Sequence, residues 1–256
     1  MTKRRKFLLT SFLLSLGFIG IQFLDNQYKI PGIFGLSLVT VPFLFWSLKE
    51  GMGWNMTLLT LILPAFFTAG VGIFWFLLPS TIYARLPVVV FYCLGIYALC
   101  LTMNVFTVAA IRTIALLRAA RGVGFVLTLV TSFLVYDAIY SLKIPFWTSS
   151  VSITLLTFPL LLQGFWTTLL EKEYSNELII TSGVLSFVVG EIALSLYFWP
   201  TTIVVGSLFL TIAVYIVLGL GQAKLEQRLF AQTVREYLLL GLLVFIGMFF
   251  ATRWGG

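Results

Sequence analysis

Histidine does not occur anywhere in the 256 residues, cysteine occurs twice, and acidic residues number only nine. Without an imidazole the chain has no serine-hydrolase triad, no H-E-x-x-H zinc site, no histidine-ligated haem and no histidine proton relay. Any chemistry it carries runs on carboxylates, hydroxyls, Lys or Arg, and neither a metal nor a cofactor is expected. Cys93 and Cys100 lie in one apolar run, where a helix would set them about two turns, or ~10 Å, apart. That is beyond disulfide reach, so both read as small packing residues. The scarcity of charge excludes more still. A soluble surface wants roughly a quarter or more charged residues, whereas here 10% are charged and 60% are apolar. The solvent for most of this chain is lipid.

Nine apolar segments can be measured against the ~20 residues that cross a ~30 Å hydrocarbon core. They run from Phe7 to Leu24, Ile33 to Leu48, Met56 to Leu78, Leu86 to Val108, Val123 to Leu142, Thr148 to Leu170, Leu178 to Phe198, Thr201 to Gly221 and Leu238 to Thr252. The second and last are short. The cations decide how they are counted. Twelve of the 16 Lys and Arg fall in alternate intervals (Lys3, Arg4, Arg5, Lys6, Lys49, Arg112, Arg118, Arg121, Lys172, Lys224, Arg228, Arg235), and only Lys29, Arg85, Lys143 and Arg253 fall in the others. This is the positive-inside pattern. If either short segment failed to cross, every later loop would change sides and the asymmetry would vanish. The expected fold is therefore an all-α polytopic transmembrane bundle of about nine spans, one integral domain over 1–256, with the N-terminus cytoplasmic and the C-terminus outside. The net charge of +7 is spread over short loops, which suits anionic inner-leaflet headgroups rather than nucleic acid.

Pro31, Pro79, Pro145 and Pro200 are expected at outer turns, and Pro42, Pro64 and Pro159 as kinks inside spans. Trp46, Trp54, Trp75, Trp147, Trp166, Trp199 and Trp254 stand near span ends, as an aromatic belt requires. The pairs Gly17 and Gly20, Gly70 and Gly72, and Gly219 and Gly221 are places for close helix approach. The basic start, Lys3-Arg4-Arg5-Lys6 before an apolar run, looks like an export signal. The run is followed by Asp25-Asn26-Gln27 rather than a small-x-small cleavage site, so it reads as an uncleaved first span.

Two acids fall inside spans, where an ionisable group is a functional hypothesis by default. Asp137 in the fifth and Glu191 in the seventh lie at similar depths in the outer half. As neighbours they would share a proton or bind a cation; apart, each would bond to Tyr136, Tyr140, Ser195 or Tyr197 and lock helices together. Asn104 and Gln163, nearer the cytoplasmic ends of the fourth and sixth spans, read as amide glue between helices or as a polar path inward. The segment 109–122 has helical composition with Gly122 as its C-cap, and Arg112, Arg118 and Arg121 are placed to reach lipid phosphates. In 222–237, Lys224, Arg228 and Arg235 would share one face of a second cytoplasmic helix lying at the interface. Besides the lipid, a protein partner or a second copy is an expected contact. Tyr136-Asp137 resembles half of the presenilin-type intramembrane protease signature, but its partner Gly-x-Gly-Asp is missing and Gly190-Glu191 stands instead.

The runs Arg112-Thr113-Ile114-Ala115-Leu116-Leu117-Arg118-Ala119-Ala120-Arg121, Gly190-Glu191-Ile192-Ala193-Leu194 and Arg228-Leu229-Phe230 with Arg235-Glu236-Tyr237 resemble those of an uncharacterised multi-pass family from candidate-phylum bacteria. The resemblance implies a bacterial inner membrane and no known substrate. The leading functional expectation is a non-enzymatic, transporter-like bundle or a membrane scaffold subunit, with no catalytic residue assigned. The alternative is an enzyme acting on a lipid-linked substrate.

Overall fold

A computed structural model describes residues 2–49, 52–53, 55–78, 82–111, 115–173 and 175–252, without the side chains of residues 82 and 84. Among them every regular element is helical: α1 (Lys3–Ile21), α2 (Asn26–Leu48), a 3-10 turn (Met56–Leu61) leading into α3 (Ile62–Leu77), α4 (Ile82–Ala109), α5 (Leu117–Ser141), α6 (Phe146–Leu169), α7 (Asn176–Tyr197), α8 (Ile203–Leu225) and α9 (Ala231–Ala251). In hydrocarbon no water satisfies the peptide groups, so apolar runs of this length close their hydrogen bonds internally as helix. Eight of the nine, all but α1, are long and apolar enough to cross a membrane. α1 has comparable length but opens on Lys3, Arg4, Arg5 and Lys6.

The two short segments both gain length. α2 begins at Asn26 and runs through Pro31, correcting the expected outer turn there. Pro31 is the sixth residue of α2, past the orphan donors of the first turn, so it leaves the Gln27 carbonyl without its i+4 donor near the start of the helix. α9 begins at Ala231 and takes in Arg235 and Tyr237. Pro64 falls where the 3-10 turn becomes α-helix rather than at a mid-span kink.

The chain divides into two compact units, residues 1–127 with 170–174, and residues 128–169 with 175–256. In the first, Lys6 near the start of α1 stands 5.7 Å from the Trp46 ring near the end of α2. Gln22 after α1 accepts a hydrogen bond from Trp75 Nε1 at 2.6 Å, and the Arg85 guanidinium lies 5.3 Å from the same indole. Successive helices therefore run antiparallel. The amide of Met56 donates to the carbonyl of Lys172 at 3.3 Å within this unit. Packing here centres on Tyr92, stacked on Phe18 with ring centroids 4.9 Å apart. Its hydroxyl bonds to Thr68, which in turn bonds to Thr40, at 3.1 and 3.2 Å.

In the second unit the Gln222 amide at the end of α8 donates to the Gly164 carbonyl near the end of α6 at 3.0 Å. At the opposite end Trp199 Nε1 donates to Thr252 Oγ1 at 2.9 Å, joining the α7–α8 connection to the end of α9. α6 and α7 pack closely because α7 presents Ser182, Ser186 and Gly190, three small residues at i, i+4 and i+8, all buried. Ser150 Oγ donates to the Gly190 carbonyl at 2.7 Å. A Cβ on Gly190 would overlap Thr154 Oγ1.

The two segments expected as interfacial helices are absorbed elsewhere. Residues 222–225 finish α8, and Gln227 turns the chain at a φ of 56°. Residues 231–237 open α9, so Lys224, Arg228 and Arg235 do not share one helix face. Arg118, Arg121 and Gly122 belong to the first turns of α5, where Gly122 is interior rather than a cap; Arg112 lies outside the described residues. Trp46 and Trp147 are exposed near helix ends, whereas Trp166 is fully buried, so it is a packing residue rather than a belt anchor. Trp54 and Trp254 lie outside the described residues.

Candidate functional site

α5 turns a polar stripe into the second unit: Thr128, Thr131, Ser132, Tyr136 and Asp137 are all buried. Most hydroxyls around it are spent locally. Ser132 Oγ donates to the Thr128 carbonyl at 2.9 Å, Thr157 Oγ1 to Ile153 at 2.6 Å and Ser207 Oγ to Ile203 at 2.8 Å. This back-bonding satisfies a hydroxyl in an apolar setting and leaves its oxygen free only to accept. Tyr136 bonds to Thr157 across to α6 at 2.6 Å. Tyr140 donates to the Ala193 carbonyl of α7 at 3.3 Å.

Asp137 is the exception in this stripe. Its side chain is 4% exposed, it faces the Ser207 hydroxyl of α8, and its Oδ1 has no hydrogen-bond partner. One turn further along α5, Tyr140 forms the floor of a cleft of about 180 Å³, lined also by Tyr197, Trp199, Thr201, Thr202 and Gly206. Gly206 makes the floor flat: the Tyr140 ring lies 3.7 Å from where a Cβ on that glycine would be. Tyr140 and Gly206 thus line the cleft, while Asp137, one turn before Tyr140, faces Ser207, the residue after Gly206.

Glu191 does not join this site. At about 100° per residue it lies opposite the buried stripe of Ser182, Ser186, Val189 and Ala193, and its side chain is exposed. Since Tyr140 meets Ala193, α5 packs on that buried stripe and Asp137 and Glu191 point to different surroundings. Depth, which the sequence reveals, brought them level; azimuth separates them. Gln163 of α6 is 1% exposed and its Oε1 lacks a partner, a second unsatisfied acceptor in the same unit. Asn104 belongs to the first unit and is half-buried, its carbonyl accepting from Thr107 at 3.0 Å. Lys224, Arg228 and Arg235 gather at the other end of the second unit from the cleft. Arg228 stands 3.8 Å from Glu226. No group of three or more Cys, Asp or Glu side chains placed to hold a metal is found among the described residues.

Of the cleft residues, Thr201 and Thr202 escaped sequence reading because they follow Pro200, in a stretch that reads as an ordinary turn. Their only early signal was the density of hydroxyls beside a span carrying Asp137. Compared with known sequences, residues 40–251 match the model of a family described as Protein of unknown function (DUF5656). No curated protein and no solved structure matches the chain.

Proposed function

We propose, on the premise that the chain belongs to the DUF5656 family, that this membrane protein is a non-enzymatic, transporter-like bundle whose Asp137 takes up a proton or a small cation from the hydroxyl-lined cleft. The observation that carries the reading is the buried Asp137 Oδ1 without a partner, one turn of α5 from Tyr140, which lines that cleft. A carboxyl held this way in a span costs several kcal/mol unless neutral or paired with an incoming cation. Ser207 gives its proton to Ile203, so towards Asp137 it serves as an acceptor, and the neutral acid completes that pair. A cation arriving past Tyr140 would displace the acid proton and take the carboxylate as its ligand. The positive-inside count supports a cytoplasmic N-terminus and the cleft opening outward, with a bacterial inner membrane as its setting. Lys224, Arg228 and Arg235 would then meet anionic headgroups on the inner face.

An enzyme acting on a lipid-linked substrate would need carboxylates and phosphate-binding cations at one interface. Here Asp137 and the basic groups of the same unit stand at opposite ends, which speaks against that alternative. The test is cation and proton flux in proteoliposomes, comparing wild type with Asp137→Asn and Thr201→Val. Flux should fall by about tenfold or more in Asp137→Asn and several-fold in Thr201→Val. Equal flux in all three, with Asp137→Asn altering only thermal stability, would leave Asp137 as a helix lock and support the scaffold reading.

A further inference from the structure

We propose that the protein self-associates through the outer face of α7, with Glu191 of one copy bonded to Glu191 and Ser195 of a second. This does not rest on the Asp137 reading, since it uses the opposite side of α7. Glu191 is exposed on a membrane-spanning helix, six residues from its end at Tyr197, or ~9 Å along the axis. An acidic side chain at that depth is costly in lipid, and such groups almost always find a protein partner or a wet cavity. The side chain is exposed, so no neighbour within the chain encloses it.

The residues around it supply the seam. Val184, Val188, Glu191, Ser195 and Phe198 follow one another at spacings of four, three, four and three, and every one of them is exposed. That is the heptad rhythm of left-handed helix pairs, the commoner hand in membrane bundles, and one polar residue inside such a seam sets its register. α7 already spends its small-residue face, Ser182, Ser186 and Gly190, on α6. The heptad seam is a second, unrelated stripe.

A second copy is the occupant that satisfies this seam without further assumption. Copies of a membrane protein insert the same way round, so a two-fold axis along the bilayer normal brings each residue to its own depth in the partner. Glu191 then meets Glu191. Ser195 Oγ donates to the Glu191 carbonyl of its own helix at 3.0 Å, which leaves the oxygen to accept a hydrogen bond from the Glu191 carboxyl of the other copy. The pair of acids thereby exchanges lipid for hydrogen bonds.

Two measurements test this. The first counts photobleaching steps of singly labelled protein in liposomes over a range of dilution, for wild type, Glu191→Gln and Glu191→Ala. The second is oxidative cross-linking of Ser195→Cys, in an otherwise unaltered chain, against Leu155→Cys on the exposed face of α6. Glu191→Ala should weaken dimerisation by about tenfold, the order of one or two interhelical hydrogen bonds in lipid, and Glu191→Gln, which keeps an amide to bond, by much less. Ser195→Cys should form a covalent dimer, and Leu155→Cys should match the wild-type background set by Cys93 and Cys100. A wild type that stays monomeric at every dilution, or one whose dimer survives Glu191→Ala while Ser195→Cys fails to cross-link, overturns the proposal. The cross-link reports on the seam even if Glu191→Ala does not fold.

Discussion

Single residues decide what this bundle can do, and the sharpest case is Gly190. It lets the Thr154 hydroxyl and the Ser150 carbonyl approach the α7 backbone, so Gly190→Ala should destabilise the protein by about 1–3 kcal/mol through overpacking. Thr154→Ala should recover most of that loss in the double variant, because the sites touch and are not additive; equilibrium unfolding in detergent reads both values. In the sequence Gly190 is one glycine among 21, and Glu191 beside it drew the notice. Asp137 was legible as an acid inside a span. Its unpartnered oxygen was not, because that depends on where Ser207 sends its own proton.

At the scale of the element, α7 carries two stripes and α9 nearly none. Met248 is the one buried residue assigned to α9; the helix is held by ring contacts to α8, Tyr237 with Tyr215 and Phe245 with Phe209, and at its end by the bond from Trp199 to Thr252. Trp199→Phe should cost about 1 kcal/mol, and adding Thr252→Val should cost little more, since both remove the same bond. Leu243→Ala, on the face of α9 where Leu243 is 69% exposed, should change stability by less than about 0.5 kcal/mol. Thermal unfolding of the three variants separates these outcomes. The expected helix over 222–237 failed for a physical reason at this scale. Its composition is helical, but the chain must reverse between two spans, and Gln227 in the left-handed region makes that turn.

For the whole molecule the question is orientation. Contacts within each unit join alternate helix ends, from Lys6 with Trp46 in the first to Trp199 with Thr252 in the second. Combined with the cation count, this predicts that Lys143→Cys is labelled by a membrane-impermeant maleimide in intact cells, and Lys49→Cys only after permeabilisation. The reverse result would invert the protein in its membrane and turn the Asp137 cleft inward.

The order of apolar runs and the scarcity of charge were enough to determine the membrane character and the number and sequence of helices. These are properties of length and charge along one dimension, and lipid enforces them on each helix separately. What tertiary structure alone decided was direction around each helix. A span that is apolar on all faces carries no amphipathic signal to say which side packs and which meets lipid. Asp137 and Glu191 therefore looked alike from the sequence, at matching depth in the fifth and seventh segments. Only the packing of α5, α7 and α8 turned the first inward to Ser207 and left the second facing out.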